Sequence, residues 1–224
     1  TNATTTIRAP HVAVARRMTD CIALNYTRAF GNKTAAALQL LCNSLKESLN
    51  YDAHVAADAI DRNSIRRFAF SSMRKRGSVV VRSRAGSNGA GGSFNSAAGS
   101  DFVVTHYVVG AAELILANCT SFLASDGTKA HLSMDHRAAL ERAITTQASA
   151  GCRVLSAAYS ERNSNYIELP AVAPDDPLTF LGIMSLEEPV RQEVRSAIQS
   201  CQSAGIRVRM VTGDNQATAT NVAI

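Results

Sequence analysis

Two short stretches of the 224-residue chain hold residues suited to phosphate chemistry. Towards the end, residues 206–211 ("IRVRMV") read as a strand that runs into Thr212, Gly213 and Asp214 and then into a helical pattern. In alternating-layer folds a glycine-containing turn from strand to helix is where phosphates are held, because unpartnered backbone N–H groups converge there. In the middle, Arg74, Lys75 and Arg76 crowd the tip of "FAFSSMRKRGSVVV" (residues 68–81), a basic turn between two β-prone runs with Gly77 beside it. A third stretch, "RAGSNGAGGSFNSAAGS" (residues 84–100), is glycine-rich, but a Walker loop ends in Gly-Lys-Ser/Thr at a helix start and this stretch has no lysine. It reads as a flexible hairpin insertion, too poor in apolar residues to order itself.

The elements that must position these residues follow from periodicity. Residues 33–50 place Leu38, Leu41, Cys42, Leu45 and Leu49 at three- and four-residue spacing, a one-sided helix with Thr34 as a candidate cap. Residues 101–109 ("DFVVTHYVV") read as a strand, after which Gly110 opens a helix, "AAELILANC". A further helix over residues 134–150 carries Leu140, Ile144 and Ala148 on one face and stops at Gly151, and "CRVLSAAY" (residues 152–159) is the next strand. The proline-marked "AVAPDDP" (residues 171–177) is a boundary, followed by a strand over 178–185, a helix with Val194, Ala197, Ile198 and Cys201 on one stripe, and the strand over 206–211. The expected fold is therefore α/β in the α+β sense: an antiparallel sheet flanked by helices over residues 1–175, with the insertion at 84–100, then a β-α-β fragment over 176–224. The strands of that fragment are expected to lack sheet neighbours and to leave exposed edges.

Composition narrows the class. With 46% hydrophobic and 18% charged residues the chain is expected to fold around a core, and it contains neither an apolar run of membrane-spanning length nor a basic-then-apolar leader. The expectation is a soluble chain. Five scattered cysteines without a CxxC pair favour neither a disulfide framework nor a zinc site, so a reducing cytosol is expected and no metal ligands are assigned. A formal charge of +5 suits an anionic ligand.

In order along the chain, "GNKT" (residues 31–34), "FSSMRKRGSVVV" (70–81), "GAAELIL" (110–116), "CRVLSAAY" (152–159) and the tail "LTFLGIMSLEEPVRQEVRSAIQSCQSAGIRVRMVTGDN" (178–215) resemble the P-type cation-transporting ATPases, in the plasma-membrane-type calcium-pump branch. The resemblance implies a nucleotide-binding domain followed by part of a phosphorylation domain of Rossmann-like, haloacid-dehalogenase type. It implies that Phe70 stacks on adenine, Lys75 and Arg153 contact the nucleotide, and Leu155 lines the adenine pocket, with Ser72, Thr34 and Gly110 in the same set. In the tail it implies that Thr212 hydrogen-bonds phosphoryl oxygens and Gly213 lets the backbone come close. Asp214 and Arg191 then organise the nucleotide end nearest the reaction, and Glu188 stands in the Asp-Pro-x-Arg element.

The implied ligand is ATP with Mg2+, and the implied partners are the remaining actuator, phosphorylation and membrane domains of the same pump. The segment itself would touch neither nucleic acid nor membrane and would sit on the cytosolic face. Asp-Lys-Thr-Gly-Thr and Gly-Asp-Gly-x-Asn-Asp do not occur in the 224 residues, so the chain is expected to present ATP to an aspartate outside it and to be inactive alone. Three positions depart from the branch, the first two bearing on affinity and the third on the Asp-Pro-x-Arg contact. Val109 stands where the branch has lysine, Ala35 where it has an acidic residue, and Glu188 where it has aspartate. Loss of a charged contact costs on the order of 1–3 kcal/mol, so weak binding is expected. The alternative that Val109 and Ala35 motivate is a basic regulatory or interaction module with weakened or lost nucleotide binding.

Overall fold

Strands β2 (Arg76–Arg84) and β3 (Phe102–Ala111) carry near-continuous buried runs, Val79–Val81 and Val103 to Val109, the latter taking in Thr105 and His106, because both of their faces are covered. They lie inside a seven-stranded sheet. The other strands are β1 (Ile65–Ser71), β4 (Cys119–Leu123), β5 (Lys129–His131), β6 (Arg153–Ser164) and β7 (Leu178–Leu186). Their order is β1-β2-β3-β6-β7-β4-β5, antiparallel throughout except for the parallel β4–β7 pair. This computed structural model describes residues 11–26, 33–84, 102–164, 168–187, 192–211 and 220.

The pleat sorts side chains by parity onto two cores. Val79, Val81, Tyr107, Val109, Leu155, Ala157 and Tyr159 face helices α1 (Val12–Asn25), α2 (Lys33–Leu49) and α3 (Ala53–Asp58). Val108, Ala158, Leu178 and Phe180 face helices α4 (Ala112–Ala117) and α5 (Met134–Ser149). The antiparallel sheet with flanking helices is as expected, and α2 and α5 begin where the periodicity puts them.

Other elements differ. Helix α1, which the sequence reading passed over, buries Thr19 to Leu24 at the centre of the first core, and its Asp20 carboxylate accepts a 2.5 Å hydrogen bond from the Tyr51 hydroxyl. Strand β7 is not an orphan edge. It is bonded on one side to β6 and on the other to β4, so the sheet continues through residue 186 and the boundary expected at 175/176 falls at the start of one of its strands.

Beyond β7, helix α6 (Gln192–Ser203) forms, but none of its stripe of Val194, Ala197, Ile198 and Cys201 is fully buried. Gly205, at φ +74, ends it, and residues 206–211 run on without a strand partner among the described residues, leaving Val211 exposed. A strand without a neighbour has no ladder to join, which is why this β-prone run is not a strand here. The insertion expected over 84–100 lies, past Arg84, outside the described residues.

Candidate functional site

The basic hairpin tip is built by a bulge and a tight turn. Phe68 is opposite Ser78 and Ser71 opposite Arg76, so Ala69 and Phe70 together face Gly77. A β-bulge of this kind re-aims a side chain, and Phe70 stands 58% exposed at the end of β1 rather than in the core. Residues 72–75 close the turn, with the Lys75 N–H donating to the Ser71 carbonyl at 2.7 Å. The Arg74 amide and Nε both donate to the Ser71 hydroxyl, at 3.2 and 3.3 Å, and its Nη2 donates to the Ala69 carbonyl at 2.6 Å. Arg74 is thus spent on the turn itself. Arg76 pairs with Asp175 at 3.4 Å. Lys75 holds the left-handed backbone conformation, φ +47, which few non-glycine residues adopt.

The second wall comes from α5 and β6. Helix α5 is tied to its neighbours by Arg137, whose guanidinium donates to the carbonyls of Leu116 (2.7 Å) and Cys119 (2.6 Å). It ends at Gly151, φ +82, whose N–H bonds the Ala148 carbonyl at 3.0 Å while the Cys152 N–H bonds Gln147 at 3.1 Å. That stop turns the chain directly into β6, so Arg153, Val154 and Leu155 lie beside Ile144 and Ala148 of the helix just completed.

Between these walls lies a pocket of about 470 Å³. Its lining takes in Phe70, Ser72 and Lys75 from the hairpin and Arg153 and Leu155 from β6. Glu113 of α4 also lines it, as do Ala111, Ile144, Ala148 and Val154. The volume lies within the roughly 300–1,000 Å³ of small-molecule sites, and the lining is mostly apolar with a few charges. One aromatic residue, an aliphatic floor and two cations against one carboxylate meet there.

Five residues singled out in the sequence therefore meet: Phe70, Ser72, Lys75, Arg153 and Leu155. Leu155, 9% exposed, is at once a core residue and part of the lining. Thr34 is not in the wall. It lies within α2 rather than before it, and its hydroxyl accepts from Arg153 Nη1 at 2.7 Å, fixing that guanidinium from behind. Gly110 does not line the pocket either: it sits behind the hairpin tip, where a Cβ would come within 2.5 Å of the Lys75 carbonyl oxygen. Val109 and Ala35, at the positions noted as departures, are fully buried core residues.

Thr212, Gly213, Asp214, Arg191 and Glu188 lie outside the described residues. Sequence reasoning missed Glu113, whose first-turn position in a short helix reads as dipole compensation. It also read the Ile144 and Ala148 stripe as core alone.

The chain matches the family P-type ATPase, cytoplasmic domain N, over residues 24–193. It is 38% identical over 169 residues to Calcium-transporting ATPase 7, plasma membrane-type, of Oryza sativa subsp. japonica, covering 75% of this chain and 15% of that protein. It is 36% identical over 157 residues to Calcium-transporting ATPase PAT1 of Dictyostelium discoideum, covering 70% and 12%. With Calcium-transporting ATPase 9, plasma membrane-type, of Arabidopsis thaliana it shares 32% over 200 residues, covering 87% and 16%. The chain thus spans less than a fifth of the length of each of these relatives. With the family model covering most of its length, the chain belongs to the P-type ATPase cytoplasmic domain N family.

Proposed function

We propose that this chain binds ATP, with adenine between Phe70 and Leu155 and the phosphates towards Lys75 and Arg153, as the nucleotide-binding part of a calcium-transporting P-type ATPase on the cytosolic face of its membrane. The observation that carries this reading is the convergence of Phe70, Lys75 and Arg153 on one pocket. The exposed ring offers a π face to any base. The lysine, a compact charge on a flexible stem, follows a phosphate, while the arginine fork pairs with phosphate or ribose oxygens.

In the parent pump, an aspartate carboxylate oxygen would attack the γ-phosphorus and the bond to the β-phosphate oxygen would break, releasing ADP. Mg2+ bound with the nucleotide would neutralise charge on the transferring group. This chain's share is to hold and orient the nucleotide. Mg2+ would arrive on the phosphates. Residues beyond β7 would belong to the phosphorylation domain of Rossmann-like, haloacid-dehalogenase type, where Thr212, Gly213 and Asp214, with Arg191 and Glu188, line the far end of the nucleotide. Without the aspartate, the chain alone would bind ATP and not hydrolyse it.

The test is an NMR titration with ATP, with and without Mg2+, reading the amides of Phe70, Lys75 and Arg153 against a Lys75→Ala control. Saturable shifts, weakened in the control, are expected. A dispersed spectrum that stays unmoved up to millimolar ATP would overturn the reading and leave the basic regulatory module in its place.

A further inference from the structure

We propose that Gly110 and the backbone N–H of Ala111 form a clamp that holds the hairpin tip down, making Gly110 a positioning residue for the Lys75 ammonium rather than a ligand contact. This rests on the nucleotide reading above. Both backbone polar groups of Lys75 are engaged: its N–H donates to the Ser71 carbonyl at 2.7 Å, and its carbonyl accepts from the Ala111 N–H at 3.0 Å. With N–H and C=O pinned and φ held at +47, the side chain is the only part of Lys75 left to move, and it lines the pocket next to Ala111.

Residue 110 can be nothing larger than glycine if that clamp is to close. Gly110 pairs with Arg76 at the first rung of the β2–β3 ladder, directly behind the turn. A Cβ there would stand 2.5 Å from the Lys75 carbonyl oxygen and 2.7 and 2.8 Å from the Arg76 Cβ and Cα. Two of those three atoms are backbone and the third is fixed to it, so none can swing aside as the end of a long side chain would. The tip must lift instead, and lifting it breaks the Ala111 to Lys75 hydrogen bond. Gly77, two residues past the turn, shows the contrast: a Cβ there would meet its nearest atom, the Phe70 nitrogen, at 3.4 Å, an ordinary contact. The close approach is therefore specific to the strand that carries Ala111 into the pocket wall.

The inference predicts coupling that a merely structural glycine would not show. In a double-mutant cycle read by calorimetric ATP titration of the full chain, Gly110→Ala should weaken binding about as much as Lys75→Ala, roughly tenfold. In the Lys75→Ala background it should cost less than twofold, since no ammonium remains to misplace. Ala111→Pro removes the clamp's donor at a residue whose φ of −56 suits proline, and should behave in the same way. Hydrogen exchange on the unmutated chain gives a readout independent of whether the variants fold: the Ala111 amide should be protected like a strand amide.

Equal losses from Gly110→Ala in both backgrounds, with ATP binding and Lys75 dependence intact, would overturn the clamp and leave the nucleotide reading standing. An Ala111 amide exchanging like an open loop would do the same. Absence of ATP binding by the unmutated, folded chain would remove the nucleotide reading, and the clamp's function with it.

Discussion

Phe70→Ala separates binding from folding. A fully buried phenylalanine costs about 3–5 kcal/mol of stability when cut to alanine. Phe70 is 58% exposed, so less than half of its surface is at stake, and the loss should stay below about 2 kcal/mol. Stacking of a base on an aromatic ring is worth about 1–3 kcal/mol, so ATP affinity should fall roughly five- to 150-fold. Calorimetry with ATP and, in parallel, with inorganic tripolyphosphate would read the two halves of the ligand apart, and urea denaturation would read stability. The expected pattern is a large loss for ATP, almost none for tripolyphosphate and a small shift in the urea midpoint. Equal losses for both ligands, or a midpoint shift of core size with no change in affinity, would refute the placement of adenine on Phe70.

Three further outcomes are expected. Thr34→Val removes the acceptor of the 2.7 Å bond from Arg153 and should cost ATP affinity about two- to tenfold, the worth of one hydrogen bond, but nothing in an Arg153→Ala background; additive losses would refute it. His106 is 5% exposed with neither ring nitrogen partnered among the described residues, and burial, aided by Arg76 and Arg162 against an opposing Asp176, pushes it down to about 4. Its ordinary value near 6.5 applies when unfolded, so the unfolded chain binds the extra proton first as pH falls. Stability should drop between pH 6.5 and about 4 by up to about 3 kcal/mol. Urea midpoints across that range should show a shallower pH dependence for His106→Leu, and identical profiles would refute the assignment. Tyr107 is wholly buried with no partner for its hydroxyl among the described residues, so Tyr107→Phe should be neutral or stabilising by about 1 kcal/mol in thermal unfolding; a loss of that size instead would reveal a partner.

How much of this was legible beforehand depended on sequence separation. The basic hairpin tip, helix α5 and the Gly151 stop are local patterns and each forms as read, although of the α5 stripe only Ile144 is buried. Helix α1 was missed because its burial is not a clean stripe: Thr19 to Leu24 is covered all round, with Asp20 carried inside by the Tyr51 hydroxyl 31 residues away. Strand β7 was misjudged because its apolar run says that both faces or edges are covered without saying by what. Its partners, β4 and β6, lie well upstream, and only β4 is parallel to it.

The amino-acid types alone determined the chemistry on offer: a phenylalanine beside a basic turn, an arginine opening a strand, apolar stripes at helical spacing and a glycine before "AAELIL". Tertiary structure decided what they could do together. Pairing β3 with both β2 and β6 brings the 72–75 turn and Arg153 to opposite sides of one pocket, and the α5 end and Glu113 into its lining. It also turned Gly110 from a helix-opening glycine into the seat of the Lys75 carbonyl and Thr34 from a candidate helix cap into the support of Arg153. The reason is geometric: propensity and periodicity act over a few residues, whereas a Cβ clash at 2.5 Å or a hydrogen bond spanning 119 residues exists only once the sheet order is set.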